Sequence, residues 1–472
     1  MKVFKFYYTL ILLLLSSACT LCSAQYTALI NFDRNTYPKG ASPCSSLVLS
    51  GNMLYGMTKN GDAIDSGCIF SVDTNGNNYK VLLDFNSTNG ATPYGSLTLV
   101  GKTLFGMTNS GGTHYDGRIF SIDTTGNNYK NLLDFAGAST GKWPVGSLTY
   151  LNGRLYGITN EGGLYDSGCV FSLDTNGSGF KDMFDCNGIN GQWAWGDLTI
   201  SGNKLFGMLS SGGVYGYGSL FSIDSGGGGF KDLKDFDGNT CSLPQGSLIT
   251  SGNRLFGMTE FGGPFGDGNI FSIDTNGTGY KNLLNFSGTN GKFPAGTLSI
   301  SGNTLFGMTQ NGGAHDSGCV FSIDTNGTTY TRLFNFTGAN GSRPYLGSLT
   351  ISGHTLYGMT NEGGTNHDGV IFKFINNLSG IDNIQDKVET VSIYPNPNHG
   401  IFNITFNTEQ DIEFPTIIEV YNILGEQVLT ETLSASKKQN AVTISSASAG
   451  IYFYRLIRQT GELIGNGKLI IL

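Results

Sequence analysis

A short element, Leu-Phe-Gly-Met-Thr in its commonest form, begins at Leu54, Leu104, Leu155, Leu205, Leu255, Leu305 and Leu356, so seven copies succeed one another at spacings of 50 or 51 residues. A chain written this way must stack or close its units, because no single unit can bury its apolar faces alone. Each unit reads as four extended runs. In residues 296–336 they are GTLSIS, TLFGMT, CVFSID and YTRLFNF, all of strand length and rich in β-branched or aromatic residues, with turn-rich segments between them. Four strands at this period is the pattern of a β-propeller blade, whereas β-helix repeats are shorter. Composition agrees, since 71 glycines and only 13% charged residues favour turns and short strands over helices.

The phase of the repeat predicts closure. Tyr26-Thr-Ala-Leu-Ile-Asn-Phe32 matches the fourth strand of a unit (YKVLLDF at 79), and the last unit stops after its third strand, GVIFKF, at Phe374. An N-terminal fourth strand that completes a three-stranded last blade leaves no open edge. The reading is therefore all-β: a seven-bladed propeller over residues 25–375, a polar linker over 376–389, and a small Ig-like β-sandwich over 390–472. Side chains alternate along LFGMT, so Met57, Met107, Ile158, Met208, Met258, Met308 and Met359 form one layer, expected to pack between blades. The recurring SIDTNGTTY (322–330) is the turn between third and fourth strands, with Asp324 accepting backbone N–H bonds; a calcium loop would need further carboxylates.

Residues 1–24 have the basic, apolar and small-residue regions of a secretory signal, with cleavage expected before Gln25. A lipoprotein reading at Cys19 is weaker, because Ser16 stands where a large aliphatic residue is usual. The apolar run is too short to span a bilayer. Removing this segment takes away two lysines and no acids, moving the formal charge from −8 to −10, which argues against nucleic acid or an anionic bilayer as partner and suits a neutral ligand. Six cysteines remain: Cys44, Cys68, Cys169, Cys186, Cys241 and Cys319. Cys68, Cys169 and Cys319 hold one repeat position, which a cyclic fold keeps beyond bridging distance, so they read as small packing residues; no spacing suggests a metal, and no cofactor is expected.

The combination LYGMTxxGG, a Gly before Ile-Phe, and YxxLxxF followed by Asn-Gly and PxGSL resembles the Gloeo/Verruco tandem repeat of secreted bacterial proteins, over roughly residues 26–375. The resemblance implies a propeller-like domain but brings no established activity and no site residues. Blade 4 departs from the pattern, with Gly226 to Gly229 in its turn and LFGMLS for LFGMT. At the other end, Tyr394-Pro-Asn-Pro-Asn-His-Gly400, Val420-Tyr-Asn-Ile-Leu-Gly-Glu-Gln-Val428, Ala449-Gly-Ile-Tyr-Phe-Tyr-Arg-Leu456 and Gly467-Lys-Leu-Ile-Ile-Leu472 resemble the type A C-terminal sorting domain of the Bacteroidetes type IX secretion system. That resemblance implies contact between residues 390–472 and the secretion machinery, and export to the surface or medium.

In a four-stranded blade the second-to-third loops and the crossings between blades share one face, where scaffolds of this kind place function. Around the crossing proline stand Tyr94, Trp143, Trp193, Trp195, Phe293 and Tyr345, which include all three tryptophans. Flat rings stack on the apolar faces of sugars, so these six are the candidate ligand-binding residues for an extracellular glycan; plugging gaps between blades is the competing role. The same face carries His114, His315 and His367, and Asp65, Asp116, Asp166, Asp267, Asp316 and Asp368 before a strand-starting Gly. Repetition of the Asp points to turn capping. No catalytic residue is assigned: the binding module is preferred, with a polysaccharide hydrolase or lyase using His114, Tyr115, His315 or His367, or a purely structural surface protein, as alternatives.

Overall fold

In a computed structural model of the chain, the described residues are 25–36, 40–61, 64–376, 391–406, 416–422, 426–433, 439–444, 448–458 and 463–472, so the expected signal segment and linker lie outside them. The chain divides into two compact units, Met1–Leu378 and Ser379–Leu472.

The first unit contains seven four-stranded antiparallel sheets. Sheet 1 is Val48–Ser50, Met53–Thr58, Cys68–Asp73 and Lys80–Asp84, paired in that order. Sheets 2 to 6 repeat it over 98–134, 149–185, 199–235, 249–285 and 299–335. Sheet 7 takes Thr350–Ser352, Thr355–Thr360 and Val370–Ile375 from the C-terminal side and Gln25–Asn31 from the N-terminal side, with Tyr26 opposite Phe374. The strand phasing predicted this pairing.

Successive sheets are tied at their first strands. The Ser46 N–H donates to Ser96 Oγ, Ser96 to Ser147 Oγ, Ser147 to Asp197 Oδ1, Asp197 to Ser247 Oγ, and Ser247 to Thr297 Oγ1; Ser348 then donates to Ser46 Oγ, joining sheet 7 to sheet 1. The glycine before this oxygen is needed for close approach: a Cβ on Gly146 would lie 2.4 Å from the Gly196 carbonyl oxygen. Further out, the glycine of LFGMT lies under the ring of the third-strand phenylalanine, and a Cβ on Gly56 would meet Phe70 Cζ at 2.5 Å.

Apolar layers fill the space between neighbouring sheets. Leu54, Phe70 and Val72 of sheet 1 share a cluster with Tyr357, Met359 and Ile371 of sheet 7, while Tyr55, Met57 and Ile69 face sheet 2. The methionine layer and Ile158 are buried in this way throughout. A fully buried phenylalanine after the fourth strand meets the next sheet's third-strand ring edge-on: Phe32 on Phe70 at 5.6 Å, Phe85 on Phe120 at 5.5 Å, Phe135 on Phe171 at 5.4 Å. In sheet 3 the position is Cys186, and Phe184 stacks on Phe230 at 3.9 Å instead. The six cysteines are buried and none of them is joined in a disulfide.

The second unit has a three-stranded sheet (Val391–Tyr394, Ile401–Phe406, Gln439–Thr443) and a four-stranded sheet (Gln427–Leu433, Thr416–Asn422, Gly450–Arg458, Leu463–Ile471), given in pairing order. Phe402, Ile404 and Val442 of one and Ile418, Val420, Leu456 and Leu469 of the other form its core.

Candidate functional site

The loops between second and third strands interlock with the crossings between sheets. Trp143 N–H donates to Asp116 O at 2.8 Å, Phe293 N–H to Asp267 O at 2.9 Å, and Leu243 N–H to Tyr217 O at 3.2 Å, each joining a crossing to the loop of the preceding sheet. The residue before the crossing proline, or before Ala194 in its place, has positive φ in all seven crossings: Ser42, Thr92, Trp143, Trp193, Leu243, Phe293 and Arg343 lie between 49° and 60°. Such a backbone is costly for a β-branched residue such as Thr92, and its recurrence in every sheet makes it part of the architecture.

This kink separates the six aromatic candidates into two sets. Residues before the proline position point outward, and Trp143 and Trp193 are 39% and 43% exposed. Phe293 is half-buried, tilted against Phe261 at 5.0 Å. Residues after it turn toward the axis. Tyr94 and Trp195 line a cavity of about 60 Å³ whose walls come from all seven sheets, and Tyr345 is half-buried with Glu260, Cys44 and Tyr94 around it. The six therefore do not form one patch.

The outer set continues through Tyr115, which the sequence offered as an acid/base candidate, and through loop residues that sequence reasoning passed over. Tyr115, Leu164, Tyr165, Val214, Tyr215, Tyr217 and Phe265 are exposed at the second-to-third loops of sheets 2 to 5, and alternate with Trp143, Trp193, Leu243 and Phe293 in the crossings. The loops of sheets 6 and 7 carry His315 and His367, and the crossing between them Arg343. The face thus has an aromatic arc and a polar sector. Tyr165, Tyr215 and Phe265 were hidden because they sit in Gly-Gly-x-aromatic loops that read as linkers; their recurrence two residues after Gly-Gly was the available signal.

The axis side has its own asymmetry. The residue after the second-strand Thr is Lys59, Asn109, Asn160, Glu260, Gln310 or Asn361, with Ser210 in sheet 4. Lys59 Nζ sits 4.7 Å from the Tyr94 ring centroid. Glu260 accepts from Gln245 Nε2 at 2.5 Å and Gln310 Nε2 at 3.3 Å; burial raises its pKa to about 7 against those two donors. Burial also raises Asp197 above the usual carboxylate range, opposed by donation from Ser147 and Ser247. Among the described residues no group of three or more His, Cys, Asp or Glu is placed to hold a metal ion.

Three overlapping stretches, residues 18–213, 139–300 and 195–384, match the family model described as the Gloeobacter/Verrucomicrobia repeat. The chain belongs to this repeat family. Residues 392–471 match the secretion system C-terminal sorting domain, which places the protein among type IX cargo exported to the cell surface or beyond. No curated protein matches the chain. Among solved structures, the extracellular domain of a putative one component system from B. thetaiotaomicron is similar at 11% identity and a TM-score of 0.48, covering 95% of this chain and 58% of its own, so the chain spans little more than half its length. The β-propeller domain of the Trilobed protease from Pyrococcus furiosus is similar at 10% identity and a TM-score of 0.45, covering 71% of this chain and 96% of its own.

Within the Gloeobacter/Verrucomicrobia repeat of this chain, the acidic residues before the third strand do not act alike. Asp65, Asp166 and Asp316 accept from the backbone N–H of Gly61, Gly162 and Gly312, as capping requires. Asp368 instead pairs with Arg34 at 2.9 Å, tying the N-terminal strand's exit to sheet 7. The turn aspartates are structural: Asp324 accepts from Thr328 N–H and Thr329 N–H at 2.6 and 3.0 Å, and Asp123 Oδ1 from Thr125 N–H and Asn127 N–H at 2.9 Å each.

Proposed function

We propose that residues 25–375 form a seven-bladed β-propeller closed by the N-terminal strand, and that it serves outside the cell as a glycan-binding module, carried there by an Ig-like sorting domain at residues 390–472. The observation that carries the reading is the arc of exposed aromatic side chains on the loop face of sheets 2 to 5. Solvent-exposed rings at intervals around a rim offer stacking platforms to successive sugar rings, and an uncharged chain avoids the repulsion that a protein of formal charge −8 exerts on acidic polymers. Trp143 and Trp193 are the central contacts, with Tyr115, Tyr165, Tyr215 and Phe265 extending the row; Tyr94, Trp195, Phe293 and Tyr345 support it from beneath and from the axis.

A glycan array probed with the exported chain, followed by titration of the best polysaccharide, tests this. Saturable binding that Trp143→Ala and Trp193→Ala weaken is the expected result, and an empty array would leave a structural surface protein as the better reading. The alternative of a cleaving enzyme is favoured by one feature, the Glu260 carboxyl beside Gln245 and Gln310, whose pKa burial raises to about 7. Release of reducing ends or unsaturated products from the bound polysaccharide, lost in Glu260→Gln, would establish it.

A further inference from the structure

The tie between sheets asks only for an acceptor oxygen after the axial glycine. A hydroxyl supplies it in six sheets, through Ser46, Ser96, Ser147, Ser247, Thr297 and Ser348. Sheet 4 uses Asp197, which keeps the same hydrogen bond from Ser147 N–H and adds a negative charge. No arginine, lysine or histidine lines the cavity with it, and no ion pair reaches it among the described residues.

A second departure faces the same space. Six sheets place glycine before the tying residue (Gly95, Gly146, Gly196, Gly246, Gly296, Gly347), but sheet 1 places Ser45 there. Ser45 is 5% exposed, lines the cavity, and its Oγ has no hydrogen-bond partner; Gln245 Oε1, on the same wall, is likewise buried and unpartnered. Burying a hydroxyl or amide oxygen without a partner costs about 1–3 kcal/mol, so both call for something in the cavity. Water alone would satisfy the neutral oxygens. It would leave the carboxylate without a counter-charge.

We propose that the axial cavity binds a calcium ion, with the Asp197 carboxylate and Ser45 Oγ as protein ligands, water completing the coordination, and Gln245 Oε1 accepting a hydrogen bond from that water. Calcium suits the site because it takes six to eight oxygen ligands in loose geometry, whereas magnesium demands a near-ideal octahedron. The cavity of about 60 Å³ has room for an ion with a little water, a water molecule's share of the liquid being about 30 Å³. With one carboxylate the affinity belongs to the weak extracellular class, roughly 10⁻⁴–10⁻³ M. This site is independent of the glycan reading.

Trp195 lines the same cavity and gives the test an optical handle. The full exported chain, stripped with chelator, is titrated with Tb³⁺ under excitation of tryptophan. Expected is saturable sensitised emission, displaced by millimolar Ca²⁺ but not by Mg²⁺, dimmed in Trp195→Phe, and lost in Asp197→Ser, which restores the residue of the other sheets. In parallel, Ca²⁺ at ten times its Kd raises the unfolding midpoint of the wild type by about 2 °C and leaves Asp197→Ser unmoved. Ser45→Gly, which restores the axial glycine, weakens Ca²⁺ binding severalfold and decides the matter should Asp197→Ser not fold. Equal Tb³⁺ binding by wild type, Asp197→Ser and Ser45→Gly, or no saturable emission at all, overturns the proposal.

Discussion

At the scale of single residues, the pair Trp193 and Trp195 shows what a kinked crossing does to neighbours in sequence. Two positions apart, they flank a backbone kink and end on opposite sides of it, one 43% exposed and one lining the axial cavity. Sequence gave their clustering but not this division, since the left-handed conformation before the proline cannot be read from residues as unlike as Thr92, Trp143 and Arg343. Trp143→Ala and Trp193→Ala should each weaken binding to the best glycan roughly tenfold, about 1.4 kcal/mol, with little change in the unfolding midpoint. Trp195→Ala should instead lower the midpoint, which calorimetry of the three variants resolves. Glu260 was invisible for a related reason: it holds a position where four other sheets carry Asn or Gln, and only its burial gives it chemistry. Its pKa rises from 4.5 to about 7 on folding, so the folded state holds the proton longer. The stability this provides is complete below pH 4.5 and is lost as pH rises through 7. Glu260→Gln should therefore flatten the fall in denaturant midpoint between pH 4.5 and pH 8; parallel curves for the two proteins would mean the carboxyl is solvated.

At the scale of elements, the strands were the legible part, because a four-run unit repeated seven times makes each assignment seven times over. The template runs correspond to Ser299–Ser301, Thr304–Thr309, Cys319–Asp324 and Tyr330–Asn335, with the first strand shorter than its apolar pattern because its leading residues bend into the axial tie. The N-terminal strand was legible through phase. Its energetic weight follows from Phe32, fully buried between sheets 7 and 1, and from Tyr26, stacked on Phe334 at 4.5 Å with its hydroxyl donating to Asn340 O. Phe32→Ala should cost about 3–5 kcal/mol, as a large void opens where sheets 7 and 1 meet. Deleting residues 25–33 should go further and expose the edge of Val370–Ile375, giving aggregation by light scattering. Unchanged unfolding of the truncated protein would remove the case for a closed ring. Turns carry a smaller but separable share. The Asp123 carboxylate, drawn down to about 2 first by the Thr125 hydroxyl and then by Asn127 N–H, adds stability above pH 3.8 that is lost as pH falls through 2. Asp224, in the glycine-rich turn of sheet 4, pairs with Lys204 at 2.9 Å instead. Asp123→Ala should lower the unfolding midpoint at pH 7 more than Asp224→Ala.

At the scale of the whole molecule, repetition and its interruptions divide the labour. Whatever recurs in all seven sheets, such as the oxygen-bearing residue at the axial tie, the LFGMT glycine under a phenylalanine, or the kinked crossing, is accounted for by closing and packing the ring. Whatever occurs once, such as Asp197, Ser45, Glu260 and Lys59, or is confined to one arc, such as the loop aromatics, is free to serve binding. The second unit follows the same logic. It has a core of its own, formed among the described residues by Phe402, Ile404, Ile418, Val420, Leu433, Val442, Ile444, Tyr452, Leu456, Leu469 and Ile471. A unit with its own core can be removed without opening the other, so its contribution is to delivery. Deleting residues 390–472 should leave the unfolding midpoint of the seven-sheet unit within about 1 °C, consistent with a cut outside its core. In the native host the truncated protein should accumulate in the periplasm and vanish from the medium and cell surface, by fractionation and blotting. Two controls separate export from folding: periplasmic extract should contain soluble, protease-resistant protein, and fusing residues 377–472 to a folded reporter should send that reporter out. If the truncated protein reaches the medium in wild-type amounts, the tail is not the address, and the matched sorting domain serves this chain in some other capacity.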